Sequence, residues 1–393
     1  MKNYLELRKK PIITEYIGVI LLLFVSRSVV LWAHQGASFS YTLFFAYSLF
    51  LFIFHRGKVS KNNSLIYATV LVTAVLANRL FFNPDASGQM WLAHIFTCVS
   101  SLLFFSSYNF NIFKKCLLDV LAVILAFSIP LHLIDIAVGI PGAVTTYTDP
   151  WHSERIFLFF KLNERLQGIW GEPGVTQIFI NTTFLLYIPE IRNKSLSKSD
   201  LIKLVILLIA LLLGISTTGF LVLAVLVAAL YYSSRKKLST ISKVVLFPVA
   251  VLILYFLIYS PAVQDKFSQD RDAYTSYGNR YRDNIANLRM ALDRPFTGYG
   301  MGTSAYSTAS DKYENLTSSN GVFAMAARIG FWWLFLYVPF LIVCIKKYNL
   351  KVPLILSLTA ILMMEFNEDF IEFPFSYLFL MNFGSYSQRL VSR

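Results

Sequence analysis

Long apolar runs separated by short polar breaks occupy almost the whole chain. Runs of bilayer-crossing length lie near 12–33, 39–55, 64–82, 90–107, 116–138, 173–189, 201–217, 219–233, 244–261, 320–345, 352–364 and 370–388. A helix needs roughly 17–25 apolar residues to cross the hydrocarbon, so the pattern predicts about twelve transmembrane helices, with 219–233 and 352–364 extending into their flanks. Two longer polar intervals interrupt them, 139–172 and 262–319. Within the second, Tyr281, Ile285, Leu288 and Leu292 recur at helical spacing. They predict an amphipathic surface helix lying on the bundle, with Asn279 as its N-cap and Pro295 just beyond its end.

Composition agrees with that reading. The 393 residues are 56% hydrophobic and 15% charged, against about 25% charged in soluble domains. The expected fold class is an all-α polytopic membrane protein forming one integral membrane domain over 1–393. A net charge of +13 invites a nucleic-acid reading, but its distribution excludes one. Lys and Arg gather in alternate connections: Lys2 to Lys10, Arg56/Lys58/Lys61, Lys114/Lys115, Arg192/Lys194/Lys198, Arg235 to Lys243, Lys346/Lys347/Lys351 and Arg389/Arg393. The short loops between them (34–38, 83–89, 214–218, 365–369) have none. By the positive-inside rule both termini are cytoplasmic and both long intervals are periplasmic loops. The basic N-terminus precedes an apolar run without an A-x-A-like cleavage site, so the first helix is expected to be retained. Cys98, Cys116 and Cys344 fall in or beside apolar runs, which predicts no disulfide framework. The five histidines lack metal-ligand spacing, and no internal repeat stands out.

Arginine is scarce on the translocated side of a membrane protein, yet both long loops set arginines in a Gly/Pro frame. The first ends Arg165-Leu-Gln-Gly168-Ile-Trp-Gly-Glu172-Pro173-Gly174; the second holds Gly278-Asn279-Arg280-Tyr-Arg282 and Arg294-Pro295-Phe-Thr-Gly298-Tyr-Gly300-Met-Gly302. An anionic, phosphate-bearing lipid substrate at the outer leaflet explains them. Glu172-Pro173-Gly174 reads either as a plain helix start, where proline is tolerated, or as an anion-binding helix N-terminus. Glu172 is then a general base or an orienting partner for an arginine. Gly298-Tyr-Gly300-Met-Gly302 lacks the Walker lysine and preceding strand of a nucleotide loop. Three arginines lie within apolar runs, where a central guanidinium costs about 2.5–3.5 kcal/mol. Arg79 is near enough to its helix end to snorkel; Arg27 and Arg328 face a polar interior, and Arg328 suits a buried phosphate through its planar fork. Glu365, Glu368, Asp369 and Glu372 form an acidic cluster read as solvated or arginine-paired, with a divalent-metal site as the alternative. Ser216-Thr217-Thr218-Gly219 reads as a tight turn with possible polar contacts to sugar.

These pieces resemble the O-antigen polymerase and ligase superfamily of bacterial inner-membrane glycan-assembly proteins. The resemblance rests on Arg165-x-x-Gly168-x-x-x-Glu172-Pro173-Gly174, Ser216-Thr-Thr-Gly219, Arg280 with Arg294-Pro295-x-x-Gly298-x-Gly300, and Ser318-Ser319-Asn320 followed by Gly330. It spans roughly 165–330. It implies a C-type membrane glycosyltransferase architecture and substrates linked to undecaprenyl diphosphate. A hydroxyl of one lipid-linked repeat attacks the anomeric carbon of a chain carried on another, and undecaprenyl diphosphate leaves. Arg165 and Arg280 then match the functional loop arginines, and Arg282, Arg294, Gly298, Gly300, Asn320 and Arg328 line the substrate. No cofactor and no metal are implied; a flippase and a chain-length regulator are the implied partners. Ligases of this type carry a His-Asn pair where this chain has Ser319-Asn320, and its large loop holds no histidine. That favours a Wzy-type polymerase over a ligase or a flippase and leaves the general base unassigned, with Glu172 the candidate.

Overall fold

The computed structural model describes residues 11–55, 63–149, 152–162, 165–234, 276–314, 321–348, 350, 352–367 and 373–383. Outside them lie the basic N-terminus, Arg56 to Lys61, the connection from Arg235, the run at 244–261, Ser318-Ser319-Asn320, Glu368, Asp369, Glu372 and the last ten residues.

Helices dominate. They are α1 (Ile13–Val25), α2 (Val29–Phe54), α3 (Asn63–Ala77), α4 (Gly88–Ser106), α5 (Phe110–Val138), α6 (Pro173–Asn193), α7 (Lys198–Gly214) and α8 (Thr217–Ser234). Then come α9 (Ser276–Asp293), α10 (Ser304–Lys312), α11 (Gly321–Ile329), α12 (Trp332–Tyr348) and α13 (Leu354–Asn367). Among the described residues, Ser64–Phe82, Gly88–Ser106 and Phe110–Val138 are long and apolar enough to cross a membrane, and shorter apolar helices accompany them. The chain is a membrane protein.

Helix α6 is central, packed by α5, α7, α8 and α13. It is buried from Gly174 almost continuously to Ile188 although it carries Thr176, Gln177, Asn181, Thr182 and Thr183. A helix buried all round usually has few polar side chains; here they form an internal polar seam. Charges collect at its far end. Lys115 pairs with Asp119 and Asp200, Lys203 with Asp119, and Lys114 with Glu190, while the Tyr16 hydroxyl donates to Asp119 at 2.9 Å. The Lys114/Lys115 and 192–198 connections therefore share one end of the bundle, and the start of α6 lies at the other.

Four expectations are corrected. First, 34–38 is not a loop: α2 runs through it, and the chain breaks earlier, at Ser26-Arg27-Ser28. Arg27 adopts a left-handed backbone, φ 67°. The carbonyls freed by the break are taken by the first long loop, because Trp170 Nε1 donates to Leu23 O at 3.1 Å and Gly171 N to Arg27 O at 3.4 Å. Second, the fold is not all-α. Residues 144–162 form an antiparallel sheet, β1 (Val144–Asp149), β2 (His152–Phe157) and β3 (Phe160–Leu162), in the order β1-β2-β3. It is tied to the end of α5 by Arg155–Asp135 at 2.9 Å.

Third, the described part of 370–388 is not an α-helix. Pro374–Phe379 is a 3₁₀ turn inside a wholly buried stretch, 373–383. Its backbone is satisfied by neighbours: Ser26 Oγ accepts from Phe375 N, Ser64 Oγ from Asn382 N, and the Tyr348 hydroxyl donates to Leu378 O. Irregular backbone is tolerated at membrane depth only when protein covers it in this way. The run at 320–345 is likewise divided at Gly330 into α11 and α12.

Fourth, the amphipathic helix exists as α9, but its buried face is rotated and Asn279 lies inside it rather than capping it. The buried positions are Asp283, Ala286, Asn287, Met290 and Ala291, whereas Tyr281 and Leu292 are exposed. Helix α9 packs on α11, whose Ala324, Ala326 and Ala327 are fully buried. Small residues on both helices let the two backbones approach closely. Pro295 does follow the helix end.

Candidate functional site

The loop from Arg165 to Glu172 closes over one end of the bundle. Leu166 N bonds Leu213 O at 3.2 Å, Lys161 Nζ donates to Gly171 O at 2.7 Å, and Thr176 Oγ1 to Gln167 O at 2.6 Å. Trp170 is fully buried against Phe179. Glu172 is the extended N-cap of α6 and Pro173 follows at its first position, as the sequence predicts. The Glu172 carboxylate meets Arg27 at 3.2 Å. Of the two roles open to Glu172, partner to an arginine is the one this geometry displays. Arg165, partly buried, sits at the mouth of the same loop.

Trp170→Ala is expected to lower stability by about 3–5 kcal/mol, the usual cost of emptying a buried indole site; thermal unfolding in detergent measures it. Glu172→Gln removes an ion pair whose side chains are 28% and 44% exposed. It is expected to change stability by no more than about 1 kcal/mol. A larger shift in the same assay would show that the pair holds the loop closed.

The second assembly is built from α9, α10, α11 and the glycine segment. Gly298, Gly300 and Gly302 all have positive φ. Their segment caps α11: Tyr299 N bonds Ala327 O and Gly300 N bonds Arg328 O, both at 2.8 Å, while Gly298 N bonds Arg294 O at 2.9 Å. The amides of Gly298 and Gly300 are thus engaged with carbonyls, and what these glycines supply is close approach. Asn78 and Asn83 donate to Thr297 O, and Ser87 N to Met301 O, which fixes the segment to the ends of α3 and α4. The asparagine contacts carry no sequence signal beyond polar residues at an apolar run's end.

Arg328 is 7% exposed, in the last turn of α11, with its guanidinium 5.6 Å from the centre of the Tyr306 ring. Arg294 is exposed and lies over Tyr299 at 4.4 Å. Arg282 is partly buried on α9, and Arg280 lies two residues earlier on the same helix, its side chain outside the described residues. The Arg79 guanidinium donates to Pro84 O, just beyond the end of its helix. Glu365, alone of the acidic cluster among the described residues, is buried near the end of α13. That helix joins the two assemblies, packing on α6, α8 and α11, with Phe323–Phe366 rings 5.1 Å apart and Thr182 against Met364.

Residues 202–338 match the O-antigen ligase family. The matched segment runs from α7 into α12, and so contains Arg280, Arg282, Arg294, the glycine segment and Arg328. It covers less than half of the chain and leaves Arg165 and Glu172 upstream. This is consistent with the O-antigen polymerase/ligase superfamily that the motifs resemble. No curated protein and no solved structure matches the chain.

Within the O-antigen ligase-type segment, Asp293 ties the end of α9 to α10. It accepts from the Tyr299 hydroxyl and, at 3.5 Å, from Tyr313. The Tyr299 bond above all, with Lys312 and Arg294 nearby, holds this carboxyl below its ordinary value. A depressed carboxylate contributes order that is present above its unfolded pKa and lost as pH falls through the folded one. Amide protection factors in α10, which remove the intrinsic pH dependence of exchange, are therefore expected to be flat near neutrality and to fall below about pH 4. Tyr299→Phe should flatten that acid response.

Proposed function

We propose that the protein polymerises lipid-linked oligosaccharide repeat units at the outer face of a bacterial inner membrane. A growing glycan on undecaprenyl diphosphate passes to the hydroxyl of an incoming repeat. The new glycosidic C–O bond forms as the anomeric carbon–oxygen bond breaks; the diphosphate leaves with the electron pair, and the proton of the attacking hydroxyl passes to it through water. The observation that carries the reading is the O-antigen ligase family match over 202–338, together with arginines gathered at Gly/Pro-framed loops. Arg165 and Arg280 are assigned to neutralising the diphosphate, with Arg282, Arg294, Arg328 and Asn320 lining the saccharide path. Placing donors where charge develops is commonly the largest catalytic term, and guanidinium forks suit a diphosphate. Glu172 holds Arg27 and orients the loop. Gly298 and Gly300 shape the substrate face by letting the segment approach α11.

The lack of a histidine in the larger loop favours chain growth over ligation to lipid A core. Cells lacking the chain test the choice. Polymerisation predicts surface glycan reduced to single repeats on lipid A, because the ligase remains; core bearing no repeat would instead mark a ligase or a flippase.

A further inference from the structure

Helix α9 is inside out for a helix in water. With 3.6 residues per turn, Tyr281, Ile285, Leu288 and Leu292 fall within a stripe about 60° wide. The opposite side is the one that meets the protein. Asp283 and Asn287 are fully buried there, beside Ala286, Met290 and Ala291, where α9 packs on α11. A helix on a soluble core turns its apolar stripe inward and its acids and amides outward. Here Tyr281 is 54% and Leu292 61% exposed, and Phe296, just past the helix end, is 82% exposed. Ile285 and Leu288 are partly buried between them. A continuous apolar face of this kind marks an interaction surface.

Two observations identify what covers it. The first is the level at which the helix ends. Asn78 and Asn83 both donate to Thr297 O, next to Phe296. Asn78 belongs to the apolar span Ser64–Phe82, whose last residues Leu80, Phe81 and Phe82 are all exposed. The end of α9 is therefore fixed where a lipid-facing span ends. The second is charge. Arg282 and Arg289 share one flank of the stripe, about 80–100° round from Tyr281, and Arg289 is exposed. A helix lying in a membrane interface combines an apolar face with such cations, which meet lipid phosphates.

We propose that α9 is an interfacial helix whose Tyr281–Leu292 stripe lies in the outer leaflet, with bilayer phospholipid as its partner. Acyl chains cover the stripe, headgroup phosphates meet Arg289 and Arg282, and α11 holds the opposite face. Such helices sink about 5–10 Å into the boundary between headgroups and acyl chains, and tyrosine is enriched at that depth. The leaflet contact stands apart from the polymerase reading. One consequence rests on that reading: the helix that carries Arg280 lies at the depth of a membrane-anchored diphosphate.

The test places a nitroxide at Leu292→Cys and, separately, at Tyr281→Cys in full-length protein. The protein is reconstituted into liposomes of phosphatidylethanolamine and phosphatidylglycerol. Cys98, Cys116 and Cys344 are buried, and wild-type protein carried through the same labelling corrects for them. Oxygen, which partitions into the acyl region, is compared with a water-soluble nickel chelate as the relaxing agent. At both positions oxygen is expected to outweigh nickel, the order shown by a label at Val123→Cys, exposed midway along α5. Nickel outweighing oxygen at either position places that end of the stripe in water and overturns the proposal. Protection from both agents overturns it too, because the stripe is then covered by another segment of this chain or a second copy. Neither result bears on polymerisation, which glycan length reads separately.

Discussion

Arg280→Ala and Arg165→Ala, introduced singly, are expected to abolish long-chain glycan while the protein still inserts. Each removes a guanidinium assigned to the leaving diphosphate, and losing one such donor typically costs about 10²–10³ in rate. At that level each chain ends after one repeat, so a gel of surface glycan shows single-repeat material and no ladder. Lysine at either position should rescue poorly, because an ammonium carries the charge without the planar fork. Full rescue by lysine would reduce the requirement to charge alone. Wild-type chain lengths in both alanine variants would remove the two arginines from the site. Arg280 lies within the O-antigen ligase-type segment and Arg165 upstream of it, so the two variants also ask whether the site extends beyond the matched residues.

Gly298→Ala is expected to be among the most destabilising single changes in the described structure. A Cβ there would stand 2.4 Å from the Arg328 carbonyl carbon and 2.6 Å from Ile329 N, at φ +61°. Both obstacles are backbone, so no side chain can swing aside. Left-handed strain of about 1–2 kcal/mol adds to overpacking of about 1–3 kcal/mol. Together they suggest roughly 2–5 kcal/mol. Gly330→Ala meets Phe296 O at 2.7 Å with φ +102° and should behave alike, since the two glycines lock the same contact from opposite sides. Gly142→Ala, also at positive φ but with nothing within 4 Å, should show only the strain. Thermal unfolding of the three variants separates close approach from backbone strain. Equal losses at all three would mean that α11 can move away from the glycine segment.

The sequence made the regular helices legible and the breaks less so. Apolar length located α3 with its π-helical extension, α4 and α6, and Glu172-Pro173 marked the start of α6 to the residue. Hydropathy failed at Arg27 because it reads side-chain polarity and not φ. The weakly polar His34-Gln35-Gly36-Ala37-Ser38 dips in hydropathy yet stays helical, whereas the chain turns within an otherwise apolar run. In 373–383 the apolar content was legible, but proline at 374 and hydroxyl partners from distant helices choose a 3₁₀ path. The sheet had a signal that length alone could not weigh, the Val144-Thr-Thr-Tyr-Thr run of β-formers. On α9 the period was right and the face wrong, since small residues rather than large apolar ones make the contact.

The site was legible as two arginine-bearing loops and a family resemblance. Its internal arrangement was not. The Arg27–Glu172 pair joins residues 145 apart in sequence, and no local pattern announces it. The glycines were legible as a special segment, but their role in covering the end of α11 required the carbonyls of Ala327 and Arg328 to be in place.

Purified full-length protein, reconstituted with a lipid-linked repeat unit and no other enzyme, tests the central claim most directly. The account predicts a ladder of lengthened glycan on undecaprenyl diphosphate, formed with equal yield when a chelator is present and absent from Arg280→Ala protein. A folded, inserted protein that leaves the repeat unit unextended, or that extends it only after lipid A core is added, would contradict it.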